Sequence, residues 1–165
     1  MDICGKNPEV RLDFTRKERK GFSEVIFCQG KSDSQIAKIA EDVLKSGVDT
    51  AFSRMTEEQS EIVSSVIQKF SYSPLSRMGF TAFEPRQKRG SVIAVLSAGS
   101  TDVPAAEEAA SIAEFSGCKV LRFYDVGVAG IHRLMEVLPE VREADAVIVA
   151  AGMDGIKGHR SVGGF

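Results

Sequence analysis

The spacing of apolar residues changes several times along this chain, and each change marks an element. Glu24 to Cys28, EVIFC, is a short apolar run closed by Gly30, which predicts a buried strand. From Ser32 the period lengthens. Ile36, Ile39 and Val43 recur at helical spacing until Gly47. Ser32 and Gln35 stand three apart, so each side chain can satisfy the other's backbone N–H, and the helix is expected to start there. Residues 48–53 fit a second short strand. Thr56 and Gln59 repeat the capping pair, and Glu57 and Glu58 sit where a helix N-terminus favours negative charge. Ile62, Val63, Val66, Ile67 and Phe70 complete that helix's apolar stripe. Two strand–helix units in succession predict a small α/β domain.

The stretch FEPRQKRG, 83–90, is basic, contains proline and has few apolar residues. It predicts a linker at 85–90 between a domain over 1–84 and a second over 91–165. Residues 91–97, SVIAVLS, read as a parallel strand covered on both faces. A helix follows from about Val103 to Ser116, capped by Asp102 or Thr101 and carrying Pro104 in its first turn, where the missing N–H costs nothing. Its stripe is Val103, Ala106, Ala110 and Ala113, and Gly117 stops it. A strand at 119–124, a helix at 131–138 ended by Pro139 and a strand at 146–151 continue the alternation. The whole is α/β, with right-handed crossovers and a parallel sheet in the second domain. Three strands are few for a sheet covered on both faces, so that domain is expected to be incomplete.

Composition narrows the class without naming it. The 165 residues are 43% hydrophobic and 27% charged with a net charge of −2, ordinary for a globular protein. Before Gly90 there are 15 Lys and Arg against 13 Asp and Glu; after it there are 6 against 10. Neither balance suits a nucleic acid or a membrane surface as partner. The run DFTRKERKG reads as a solvated segment. Cys4, Cys28 and Cys118 are odd in number and widely spaced, which predicts neither a disulfide framework nor a zinc site. No opening run resembles a signal peptide and no stretch approaches a membrane span, so a reduced, cytoplasmic protein is expected.

Chemistry is expected where the second domain's strands end. SAGSTD, residues 97–102, joins a strand to a helix, with Gly99 for close backbone approach and Ser100 and Thr101 hydroxyls for a phosphate. Asp102 suits a ribose hydroxyl, a metal or the helix cap. The turn lacks GxGxxG and the Walker lysine. YDVGVAGIHRL, 124–134, places Asp125, Gly127, His132 and Arg133 at the same sheet edge; arginine forks a phosphate and histidine moves a proton near neutral pH. AAGMDG, 150–155, adds Gly152 and Asp154. Three glycine-containing turns on one rim favour a phosphate-bearing small molecule.

These residues carry a family resemblance. VIAVLSAGSTDVPAAEEAA from Val92, RFYDVGVAGIHRL and DAVIVAAGMDG resemble the first half of the LarB catalytic domain, itself similar to aminoimidazole ribonucleotide carboxylases (PurE-like), whose GSxSD turn matches Gly99, Ser100 and Asp102. LDFTRKERKGFSEVIFCQGKS and QIAKIAEDVL resemble that family's N-terminal domain. The resemblance implies a partial PurE-like, flavodoxin- or Rossmann-like three-layer domain after the small N-terminal one. It implies carboxylation of the pyridinium ring of nicotinic acid adenine dinucleotide, with phosphoanhydride hydrolysis releasing AMP, in nickel-pincer cofactor synthesis. Carbon dioxide is the implied co-substrate, a magnesium ion (Mg2+) the implied cofactor and a homo-oligomer the implied state. Ser97, Gly99, Ser100, Thr101, Asp102, Asp125, Gly127, His132, Arg133 and Gly152 become substrate-binding candidates, and Asp154 a catalytic one. The family's nucleophilic cysteine is expected beyond Phe165, which leaves this chain partial or inactive. Cys118, at the amino end of a strand, reads as structural, and IKGHRSVGGF departs from the family's apolar continuation. The alternatives are an aminoimidazole ribonucleotide carboxylase-like enzyme and a non-catalytic nucleotide-binding regulatory module.

Overall fold

Both capping pairs form. In a computed structural model, which describes residues 12–13, 15–16, 19, 22–83 and 90–152, the Gln35 N–H donates to Ser32 Oγ (3.3 Å) while Ser32 N–H donates to Gln35 Oε1 (3.0 Å). Thr56 and Gln59 exchange the same two bonds at 3.2 and 3.1 Å. The chain divides into two compact units, Met1–Arg86 and Gln87–Phe165. Apart from Gly90, the linker expected at 85–90 lies outside the described residues.

In the first unit, β1 (Val25–Phe27), α1 (Asp33–Ser46), β2 (Ala51–Ser53), α2 (Glu57–Val66), β3 (Phe70–Ser73) and β4 (Met78–Thr81) follow in order. The sheet runs β1-β2-β4-β3; β1 is parallel to β2, and β4 is antiparallel to both β2 and β3. Ile36, Ile39 and Val43 of α1 and Val63 of α2 pack with Ile26, Phe52 and Met55. Gly47 takes the left-handed conformation (φ 64°) that closes α1.

Three expectations change here. β1 is an edge strand with Val25 and Phe27 exposed and only Ile26 buried, not the buried strand expected. Phe70 leaves the α2 stripe, because the chain turns extended at Ile67 (φ −115°, ψ 104°), and its ring meets Phe52 edge-on at 5.8 Å. The β3–β4 hairpin is a further element. Gly79 on β4 has no room for a Cβ against the Phe70 ring.

The second unit orders β5 (Val92–Ser97), α3 (Val103–Phe115), β6 (Lys119–Phe123), α4 (Ile131–Arg142) and β7 (Ala146–Ala150). The three strands are parallel in the order β6-β5-β7. Ala106 and Ala110 of α3 pack on Val95, and Val141 of α4 packs with Ala94 and Leu96. Since neighbouring residues of β5 point to opposite faces, the two helices cover opposite sides and the unit has three layers. This is the α/β fold expected.

Two helix ends depart from expectation. The fourth helix does not stop at Pro139 but runs on to Arg142. Proline removes the N–H that would bond Met135 O, and Met135 is exposed, so water can serve that carbonyl. At the start of α3, Asp102 makes no cap bond to the helix, because its own backbone is already in a helical conformation (φ −90°, ψ −11°). Its carboxylate is used elsewhere.

Candidate functional site

In a parallel sheet every strand's carboxyl end reaches one edge, and here the strand order reverses direction at β5. The crevice beside such a reversal is where open α/β sheets hold ligands. The turns after β5, β6 and β7 meet there through direct hydrogen bonds.

Ser97, the last residue of β5, is fully buried. Its Oγ accepts the Asp125 N–H (3.0 Å) and its carbonyl accepts the Val126 N–H (3.1 Å), both from the turn after β6. On the other side the Ala98 N–H donates to Ala150 O (2.9 Å), at the end of β7. A 3-10 turn over Ser100–Asp102 then leads into α3. The Asp102 carboxylate reaches back to the Gly99 N–H through Oδ2 and across to the Gly152 N–H through Oδ1, each at 3.0 Å. Ser100 and Thr101 are exposed at the tip, and their hydroxyls bond to no described residue.

After β6, Asp125 adopts a left-handed backbone (φ 56°), uncommon for a residue with a Cβ. Its carboxylate pairs with the Arg133 guanidinium, and both side chains remain about half exposed (52% and 42%), so the pair is screened. Gly127 starts the short 3-10 turn Val128–Gly130 that precedes α4. A Cβ on Gly130 would lie 2.6 Å from Arg133 Nε, so this glycine gives the arginine its path. His132 is exposed beside it, with no partner among the described residues.

The candidates thus fall into two sets. In the bonded set, Ser97, Asp125 and Arg133 form one run of hydrogen bonds and Gly99, Asp102 and Gly152 another; Ser100, Thr101 and His132 are exposed to solvent. Asp154 lies outside the described residues.

One cluster near the rim was not foreseen. Arg122 forks the Glu114 carboxylate at 2.6 and 2.8 Å and reaches Glu107 at 2.9 Å, and the Tyr124 hydroxyl donates to Glu107. Burial and the Glu107 carboxylate push the Tyr124 phenol well above its usual range. The sequence signal is a pair of glutamates two helical turns apart on α3 facing Arg122 and Tyr124, which alternate onto one face of β6. The cluster fastens α3 to β6.

Cysteine and metal chemistry are poorly served by the described residues. Cys28 is fully buried in the first unit, and burial pushes its thiol up to about 12. Cys118 precedes β6 at the amino edge of the sheet, opposite the rim. Among the described residues no three His, Cys, Asp or Glu side chains converge on a metal position, and no helix is long and apolar enough to cross a membrane.

With this geometry in place, the comparison with known families is informative at the other end of the chain: the LarB/PurE-like N-terminal domain matches residues 7–82. Most of the first unit is therefore similar to that family's N-terminal domain. An uncharacterized protein of Methanocaldococcus jannaschii, MJ0165, is 32% identical over 157 residues, covering 88% of this chain. The chain spans 60% of that relative's length.

Proposed function

We propose that the rim of the second unit binds nicotinic acid adenine dinucleotide for LarB-type chemistry: carboxylation of the pyridinium ring by carbon dioxide and hydrolysis of the phosphoanhydride to release AMP, within nickel-pincer cofactor synthesis. One observation supports this reading above the others. Three strand-end turns meet at the switch point of a parallel sheet, in a chain whose first unit is LarB/PurE-like. The Ser100 and Thr101 hydroxyls and the start of α3 suit one phosphate. Arg133, held at the surface by a screened pair with Asp125, can exchange that carboxylate for a second phosphate at little cost. His132 stands where it can give or take a proton, and Asp154 is the proposed further acid–base group.

Ring carboxylation of this kind needs a thiolate to add to the pyridinium and supply temporary electron density. Of the described cysteines, Cys28 is buried and protonated and Cys118 lies on the opposite edge, so neither is placed to do so; Cys4 lies outside the described residues. Among the described residues no three His, Cys, Asp or Glu side chains group to hold a magnesium ion, and no step is assigned to that ion. These observations favour a second reading, a nucleotide-binding module without ring chemistry. An aminoimidazole ribonucleotide carboxylase-like role has no observation of its own.

Association into a homo-oligomer belongs to the same proposal. Val128, Ile131 and Met135 form an exposed apolar stripe along the start of α4, and Val147 and Ile148 are exposed on β7. Light scattering at tens of micromolar should give a mass above 17.8 kDa.

The test is titration of the 165-residue chain with nicotinic acid adenine dinucleotide, followed by mass spectrometry with bicarbonate and magnesium. Saturable binding that Arg133→Ala weakens about tenfold or more, with no AMP formed, is the expected result. Binding of aminoimidazole ribonucleotide instead would overturn the substrate. A carboxylated mononucleotide plus AMP would mean that one of the chain's three cysteines, Cys4, Cys28 or Cys118, serves as nucleophile.

A further inference from the structure

Two polar side chains of the rim each tie neighbouring turns together. Ser97 is 0% exposed, and its hydroxyl oxygen faces the Asp125 N–H. Both carboxylate oxygens of Asp102 are engaged, one by Gly99 and one by Gly152, 50 residues away. Ser97 is closed to solvent, and the two Asp102 bonds join the turn after β5 to the turn after β7. A Cβ on Gly152 would sit 3.2 Å from Asp102 Oδ1, so the approach is close enough to favour glycine there.

We infer that Ser97 and Asp102 are positioning residues, whose hydrogen bonds set the turns that would face a ligand. From the end of the central strand, Ser97 sets the turn after β6 and Asp102 sets the turn after β7. The Ser97 bond holds the Asp125 backbone, a left-handed residue whose carboxylate in turn aims Arg133. Losing that bond frees Asp125 to relax toward ordinary backbone angles and turns its carboxylate away from the guanidinium. The Asp102 bond fixes Gly152, the last described residue before the Asp154 turn. Ligand-facing roles then fall to Ser100, Thr101, His132 and Arg133.

This inference rests on the rim being the ligand site, but the ties themselves are readable without any ligand. Amide hydrogen exchange by NMR on the whole chain is the experiment. Asp102→Asn keeps size and one acceptor but sets an NH2 against an N–H, so the Gly99 or Gly152 amide should exchange about tenfold faster or more, with Val95 unchanged. Ser97→Ala should do the same to the Asp125 amide, and Ser97→Thr, which keeps the hydroxyl, should restore it. Adding nicotinic acid adenine dinucleotide to the unmodified chain should leave Gly99 and Gly152 protected, while each freeing variant binds it about tenfold more weakly. Unchanged exchange in Asp102→Asn and Ser97→Ala would overturn the inference. So would loss of Gly152 protection when the dinucleotide binds the unmodified chain, because Asp102 would then be turning to the ligand. If the unmodified chain binds no dinucleotide, the substrate reading falls, and the exchange rates still decide whether the ties hold the turns.

Discussion

The two units solve the same packing problem differently. In the first, both helices share the core on Ile26, Phe52 and Met55, and the sheet is mixed, so strand ends point both ways. In the second, helices cover both faces of a wholly parallel sheet, so every strand delivers its carboxyl end to one edge. The polar residues differ accordingly. Those of the first unit finish helices and fasten a hairpin: Arg77 Nε and the Tyr72 hydroxyl both donate to Met55 O. Those of the second join turns around a crevice. A site needs converging ends, and parallel topology supplies them.

The largest effect should come from the first unit's core. Phe52→Ala removes a fully buried ring that also meets Phe70, and should cost that unit about 3–5 kcal/mol. If the units are as separate in stability as in architecture, near-complete protection of β5 amides should survive in this variant while β2 amides exchange freely. Loss of both together would break the comparison.

Alkaline pH should also weaken the first unit. The Cys28 thiol, raised by burial to about 12, stays protonated in the folded state while the unfolded thiol ionises near 9. The unfolded state therefore binds fewer protons between these values, and stability falls as pH rises, by up to about 1.4 kcal/mol per pH unit. Denaturant titrations at pH 8, 9.5 and 10.5 should show a steeper loss in the native chain than in Cys28→Ser. Parallel slopes would remove the cause assigned.

Among the caps, Gln59 should matter more than Thr56. Besides the capping bond, Gln59 Nε2 donates to Cys28 O and Lys31 O, fastening α2 to the end of β1. Gln59→Ala should cost about 2 kcal/mol and Thr56→Ala about 1 kcal/mol, measured from urea midpoints. Equal costs would mean that the cap alone carries the effect.

Local chemistry was legible in the sequence, and long-range partnership was not. Both capping boxes, the stop at Gly47 and the apolar run of β5 rest on residues within a few positions of each other, and each appears as expected. β4 escaped notice because MGFT is buried at all four positions and so shows no alternation, and its hairpin turn, PLSR, lacks a paired glycine signal. Pro139 misled because the cost of proline in a helix depends on whether the abandoned carbonyl faces water. The rim turns were found by their glycines and small polar residues. What those side chains touch was hidden, since the partner of Asp102 lies 50 residues on and that of Ser97 lies 28.

The separations along the chain also set an order of assembly during synthesis. The Thr50–Thr81 bond that closes the first unit's sheet spans 31 residues, and all of it precedes β5. The central strand β5 first finds β6, but its pairing with β7 must wait for Asp145, 53 residues after Val92, to be made. A nascent chain would therefore carry a finished first unit on the ribosome while one apolar edge of β5 stays open. The interval between translating β6 and β7 is the period of greatest exposure to aggregation, and slow codons placed there should lower the soluble yield more than the same codons within α1.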